Sequence, residues 1–148
     1  MIYSDRIPEI KEYNELRVNS GKGRKISEDM AYKALHGSLY VVSVYNDDDR
    51  LIGLGRVVGD GAVTFAVTDI MVDKEYQLHG VGDGIMDHIE EYIDSVSDED
   101  SFVMLIARIP SDHLYLRHRF EYLKEGYRIG MQRNQSHKSK GYVKHESC

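Results

Sequence analysis

The run Ala62-Val63-Thr64-Phe65-Ala66-Val67-Thr68-Asp69-Ile70-Met71-Val72, followed by Asp73-Lys74-Glu75-Tyr76 and then Gln77-Leu78-His79-Gly80-Val81-Gly82, decides the fold. Its first part is β-branched and aromatic, the composition of a pleated, half-buried strand. Asp73 to Tyr76 leaves the strand, and the glycines turn the chain into a helix. Gly82, Met86, Ile89, Ile93 and Val96 share one face of that helix, with Asp87, Glu90, Glu91 and Asp94 opposite. A strand, a glycine turn and a helix N-terminus together suit an anion. The first helical N–H groups have no intrahelical partner, the dipole places partial positive charge there, and glycines allow a close approach. The same glycines also suit tight strand–helix packing. Gly80-x-Gly82-x-Gly84 matches neither the dinucleotide fingerprint, because position 85 is Ile85, nor a P-loop.

Working outward, Asp69-Ile70-Met71-Val72, four further residues and Gln77-x-x-Gly80-x-Gly82 resemble motif A of the GCN5-related N-acetyltransferases, the GNAT family. The likeness extends, less tightly, over residues 1–133, and 134–148 read as a polar, basic extension. The resemblance implies an α/β fold: a mixed, mostly antiparallel central sheet flanked by helices, with one parallel βαβ unit carrying the acetyl-CoA loop. It implies acetyl transfer to an amine by direct attack in a ternary complex, without a metal or a covalent enzyme nucleophile. Backbone groups near Met71 and Val72 are expected to pair with the pantetheine arm and to offer an N–H to the acetyl oxygen. The pyrophosphate is expected against Gln77, His79, Gly80, Val81, Gly82 and Gly84. His79 stands where the family often has a basic residue, though an exposed loop histidine reads the same way.

Leu114-Tyr115-Leu116-Arg117-His118-Arg119-Phe120 resembles the family's Leu-Tyr-x-x-x-Gly-Phe, with Arg119 in place of glycine. That makes Tyr115 the expected general acid near the CoA sulfur, with half-buried packing as its bland alternative. Asp69 shares a strand face with Met71. It is a candidate general base, directly or through water, a candidate ligand for the substrate ammonium, or a structural residue. Asp83 occupies a position that is usually basic, small or hydroxylic in the family. Beside a phosphate it weakens binding; turned to water it favours the helix dipole. A CoA-binding module without catalysis is the alternative function, and an interaction domain without CoA a third class.

The remaining chain supports one domain. Its 148 residues, 41% hydrophobic and 30% charged, suit a single core. Ile10, Tyr13, Leu16 and Val18 predict a helix after Pro8; Ser27 caps a second, with Met30, Ala34 and Leu35 as its apolar positions. Met1 to Ile7 supplies an edge strand. Leu39–Tyr45, Leu51–Val58 and the Ala62–Val72 strand form an antiparallel meander. Phe102–Ile109 is expected as a central strand parallel to Ala62–Val72, and Pro110 to Arg117 as a short helix. Tyr127–Gln132 is expected as the last strand.

A net charge of −6 argues against general nucleic-acid binding and suits a small cationic amine. No apolar run spans a membrane and no signal peptide is visible, so a cytoplasmic protein is expected, with homodimerisation by family resemblance. Cys148 is the single cysteine, so neither a disulfide within the chain nor a cysteine cage forms. The aspartates at 47–49 lack calcium-loop spacing, and Asp112, His113 and His118 do not share a helix face as a metal site would need.

Overall fold

A computed structural model of the chain describes residues 1–137. Five strands lie in sequence order: β1 (Ile2–Ser4), β2 (Tyr40–Tyr45), β3 (Leu51–Gly59), β4 (Thr64–Val72) and β5 (Phe102–Met104). The first four are antiparallel, and β4 pairs with β5 in parallel. Helices α1 (Ile10–Asn19) and α2 (Glu28–His36) cover one face. Helix α3 (Val81–Val96) covers the other, joined at its start by the short α4 (Asp112–Leu116). This is the mixed, mostly antiparallel α/β sheet expected from the motif.

Two cores follow from this layering. Val42, Val44, Ile52, Phe65 and Val67 pack beneath α3, whose Val81, Ile85, Met86, Ile89 and Ile93 form the apolar stripe. Val96, expected on that stripe, is exposed beyond its end. On the opposite face Tyr13 and Leu16 of α1 and Ala31 and Leu35 of α2 bury Leu51, Leu54 and Met71. Val18 and Met30, read as apolar-face positions, are exposed. Ser27 caps α2 by accepting the Met30 N–H at 3.2 Å.

The ladder between β3 and β4 slips by one residue, so Asp69 and Ile70 together oppose Gly55. Asp69 takes φ +53 there, a left-handed conformation that aspartate tolerates better than most residues. Gly55 is required beneath the bulge, because a Cβ on it would lie 2.7 Å from Ile85 and 2.9 Å from both Ile70 and Ile89. A β-branched or larger residue at 55 would lift α3 off the sheet.

Two strand expectations fail. β5 ends at Met104, and it is the sheet edge rather than a central strand. Tyr127–Gln132 forms no strand; Tyr127, Ile129 and Met131 are exposed. The two failures are one event: a strand on the free side of β5 would have made it central. In its place lies a hollow of about 600 Å³, bordered by the end of α3, β5 and residues 118–128. Of the expected extension, Gln135–His137 forms one 3₁₀ turn, and residues 138–148, with Cys148, lie outside the described part.

Candidate functional site

The cleft begins where β4 and β5 part. Only Thr64, Phe65 and Ala66 of β4 pair with β5, so from Val67 onward this side of β4 has no neighbouring strand. The bulge at Asp69 and Ile70 restores alternation one residue late, turning Ile70 and Val72 toward α3 and Met71 toward α1 and α2. The opening is about 410 Å³. One wall carries Ile70 and Val72, another Arg108 to Ser111 with Leu114 and Tyr115, and the loop Ser20–Lys22 borders the top.

Backbone direction assigns the donor. The Asp73 N–H bonds the Ile52 carbonyl on β3 at 2.8 Å. Alternation along the strand therefore turns the Val72 N–H and C=O the other way, into the cleft. Met71 points its backbone at β3 and buries its side chain, so of the expected pair Val72 faces the opening. The Val72 carbonyl accepts the Gln77 side-chain amide at 2.9 Å; the same amide reaches the Ser20 carbonyl at 3.4 Å. Gln77 thus ties the loop to the strand and to the end of α1.

Gly80 opens α3 in the left-handed conformation, φ +81, with nothing within 4 Å of where a Cβ would stand. The Val81, Gly82 and Asp83 N–H groups precede the first intrahelical bond, from the Gly84 N–H to the Gly80 carbonyl, and among the described residues no side chain caps them. Three free donors on an open face fit a pyrophosphate. Gly84 has a different reason to be small. Its N–H is spent on Gly80, and a Cβ would collide with the Tyr3 ring, which stacks on His88. His79 is exposed and stands outside the cleft wall.

Tyr115 is nearly buried, and its hydroxyl makes no hydrogen bond among the described residues. Burial pushes the phenol above its ordinary value, so it holds its proton. Asp69 is fully engaged. Its Oδ2 accepts from Tyr13 Oη and from Arg56 Nε at 2.8 Å, and Arg17 stands 3.8 Å from Oδ1. Arg56 also reaches the Ala34 carbonyl and Ser38. A lone arginine inside the apolar run Leu51–Val58 was the signal for this network. Arg108, alone in the Phe102–Ile109 run, signalled another: it bridges the cleft mouth to the Lys22 carbonyl at 3.2 Å. Burial, then Arg108, lowers the Lys22 ammonium.

Asp83 does not face the cleft unpaired. Arg117 Nε and Nη2 donate to it at 3.3 and 3.1 Å, and His118 Nε2 at 2.8 Å. Arg117 first, then His118, holds this carboxyl below its usual range. His118 Nδ1 meets Glu90 at 2.6 Å, and Arg119 meets Glu90 and Asp94. Of the acids expected opposite the apolar stripe, Glu90 and Asp94 are therefore paired. Asp87, Glu90 and His118 bring ligand-type atoms within 4.8 Å of one another. Two of these three also have protein partners, Glu90 in Arg119 and His118 in Asp83.

Residues 10–130 match the acetyltransferase (GNAT) domain family. A protein of unknown function from meticillin-resistant Staphylococcus aureus, named as a probable acetyltransferase, is 41% identical over 90% of this chain and 98% of its own, with a TM-score of 0.82. A GNAT-family acetyltransferase from Streptococcus pneumoniae is 25% identical over 90% and 96%, with a TM-score of 0.70. Glucosamine-6-phosphate N-acetyltransferase from Arabidopsis thaliana, 10% identical over 91% and 99%, shares the fold at a TM-score of 0.66. No curated protein matches by sequence. With the parted strands, the free helix N-terminus and a family match across most of its length, the chain belongs to the GNAT acetyltransferases and is an acetyl-transferring enzyme.

Proposed function

We propose that the protein transfers the acetyl group of acetyl-CoA to a primary amine by direct attack in a ternary complex. The observation that carries this reading is the continuity of one cleft. It runs from the free N–H groups of Val81 and Gly82, past the Val72 N–H, to the unpartnered Tyr115 hydroxyl. The thioester supplies an activated acyl group. The chain holds it: Gly80, Val81 and Gly82 receive the pyrophosphate, and Val72 N–H receives the acetyl oxygen as charge develops there. Tyr115 Oη gives its proton to the departing thiolate, and the proton lost by the attacking nitrogen, carried by water, restores the phenol. Holding donor and amine together supplies most of the remaining acceleration.

For Asp69 the geometry supports a structural role over that of base. Its Oδ2 already accepts from Tyr13 and Arg56, and Arg17 stands beside Oδ1, so the carboxylate braces α1 against the sheet. Within the same reading the acceptor is a small molecule rather than nucleic acid or a membrane, and the chain works in the cytoplasm. Residues 1–133 form the catalytic unit. The exposed Ile106, Ile109, Ile129 and Met131 support a homodimer, which light scattering of the full chain would test.

Calorimetric titration with acetyl-CoA, followed by thiol release across a panel of amines, tests the proposal. Binding with amine-dependent thiol release is expected. Binding without release by any amine returns the alternative, a non-catalytic acetyl-CoA module; no binding removes both.

A further inference from the structure

Helix α4 has only five residues, yet it carries the tyrosine on which the proposed proton transfer depends. Its own helical bonds cannot hold it, since one turn of helix is unstable alone. The support comes from the three residues that follow. Arg117 reaches Asp83, His118 reaches Asp83 and Glu90, and Arg119 reaches Glu90 and Asp94. Consecutive side chains thus grip one edge of α3 over nearly its whole length.

His118 is the centre of this grip. It is nearly buried, with Nδ1 2.6 Å from Glu90 and Nε2 2.8 Å from Asp83. Carboxylates only accept, so both contacts are hydrogen bonds only when both ring nitrogens carry protons. Asp87, 3.6 Å away on the same helix, adds a third acid, while Arg117 and Arg119 face the ring's neighbours from its own segment. The connection to Tyr115 is short. The Tyr115 carbonyl accepts the His118 N–H at 2.9 Å and the Phe120 N–H at 3.2 Å, and Phe120 packs edge-on against the Tyr115 ring.

We propose that His118 is a positioning residue for Tyr115: clamped between Asp83 and Glu90, it sets how the tyrosine hydroxyl enters the cleft. This rests on the reading of Tyr115 as the proton donor. Without the clamp the one-turn helix has only its own bonds, and transfer slows although the tyrosine itself is intact.

The test uses the full chain with His118→Gln, and Glu90→Gln as a second variant should the first fold poorly. Hydrogen exchange without ligand is expected to quicken by about tenfold or more at residues 114–120 while β2 to β4 stay protected. The kcat for thiol release should fall by about tenfold to a hundredfold, with acetyl-CoA affinity held within about twofold. In a Tyr115→Phe background the same substitution should cost nothing further. Unchanged exchange at 114–120, or losses that multiply in the Tyr115→Phe background, overturn the proposal. A Tyr115→Phe protein with wild-type kcat instead removes the proton-donor reading, and exchange alone then decides whether His118 holds the segment.

Discussion

Arg119 takes φ +66 and sets its guanidinium on both carboxylate oxygens of Asp94, at 2.8 and 2.9 Å. The backbone at 119 is therefore in the region where the family pattern has glycine, and the side chain recovers part of what that conformation costs.

This relationship separates two substitutions. Arg119→Ala loses the ion pairs and keeps the strained backbone, whereas Arg119→Gly loses the pairs and relieves the strain. The glycine variant should be more stable than the alanine variant by about 1 kcal/mol in urea denaturation. Because the guanidinium is largely exposed, its ion pairs should set wild type only slightly apart from Arg119→Gly. Equal stability of the two variants would mean that the turn relaxes out of the left-handed region.

Asp69 should behave as part of the scaffold. Asp69→Ala leaves Arg56, mostly buried, and Tyr13 without their acceptor, and about 3 kcal/mol of unfolding free energy should be lost. Asp69→Asn keeps an acceptor and tolerates the left-handed backbone, so it should lose clearly less. A kcat that collapses in Asp69→Asn with stability unchanged would restore the general-base role.

Gly80→Val should weaken acetyl-CoA by about tenfold or more, roughly 1.4 kcal/mol. A β-branched residue resists φ +81 and places methyl groups on the open face before the free N–H groups. Gly84→Ala, which meets Tyr3 instead, should lower the melting temperature with little change in affinity. Titration calorimetry and thermal melts on both variants separate the two glycines.

Tyr115→Phe should lower kcat by about 10²–10⁴ while acetyl-CoA affinity stays nearly the same. Since burial raises the phenol above 10.0, the loss of activity from its ionisation should lie above that pH. Donors whose thiol is more acidic should show a smaller loss, because they need less help in leaving.

Asp83 makes a prediction about acid. Its folded value lies below the ordinary 3.8, so the stability it contributes is complete above that pH and is lost as pH falls through the lowered value. Melting temperatures of Asp83→Asn should therefore converge with those of wild type as pH falls below the ordinary carboxylate range, and differ most above it.

The meander, the βαβ unit and the glycine turn before α3 were legible because each rests on a local pattern. β4 has strand composition, α3 has a helical stripe, and Gly80 sits at a conformation that demands glycine. What was not legible depends on pairing between distant segments. Tyr127, Ile129 and Met131 alternate as a strand would, but alternation alone does not supply a partner, and β5 stops after Met104. The ion pairs along α3 were not visible because the partners of Asp83, Glu90 and Asp94 lie well downstream, at 117–119. Likewise Asp83 and Arg119, taken singly, read as departures from the family pattern; in space both belong to the same ion-paired seam.

The extra residue in β4 has a consequence for how this enzyme tolerates change in length. Removing either Asp69 or Ile70 would leave one residue opposite Gly55 and let the two strands run on in register. Met71 would keep Leu54 as its partner and Val72 would keep Gly53, so the groove beyond them would hold its order. What a missing codon would remove is the left-handed step that sends Asp69 to Tyr13 and Arg56 on one face while Ile70 packs under α3 on the other. One residue cannot serve both faces, so the deletion would forfeit either the ion-paired brace or part of the apolar cover of α3.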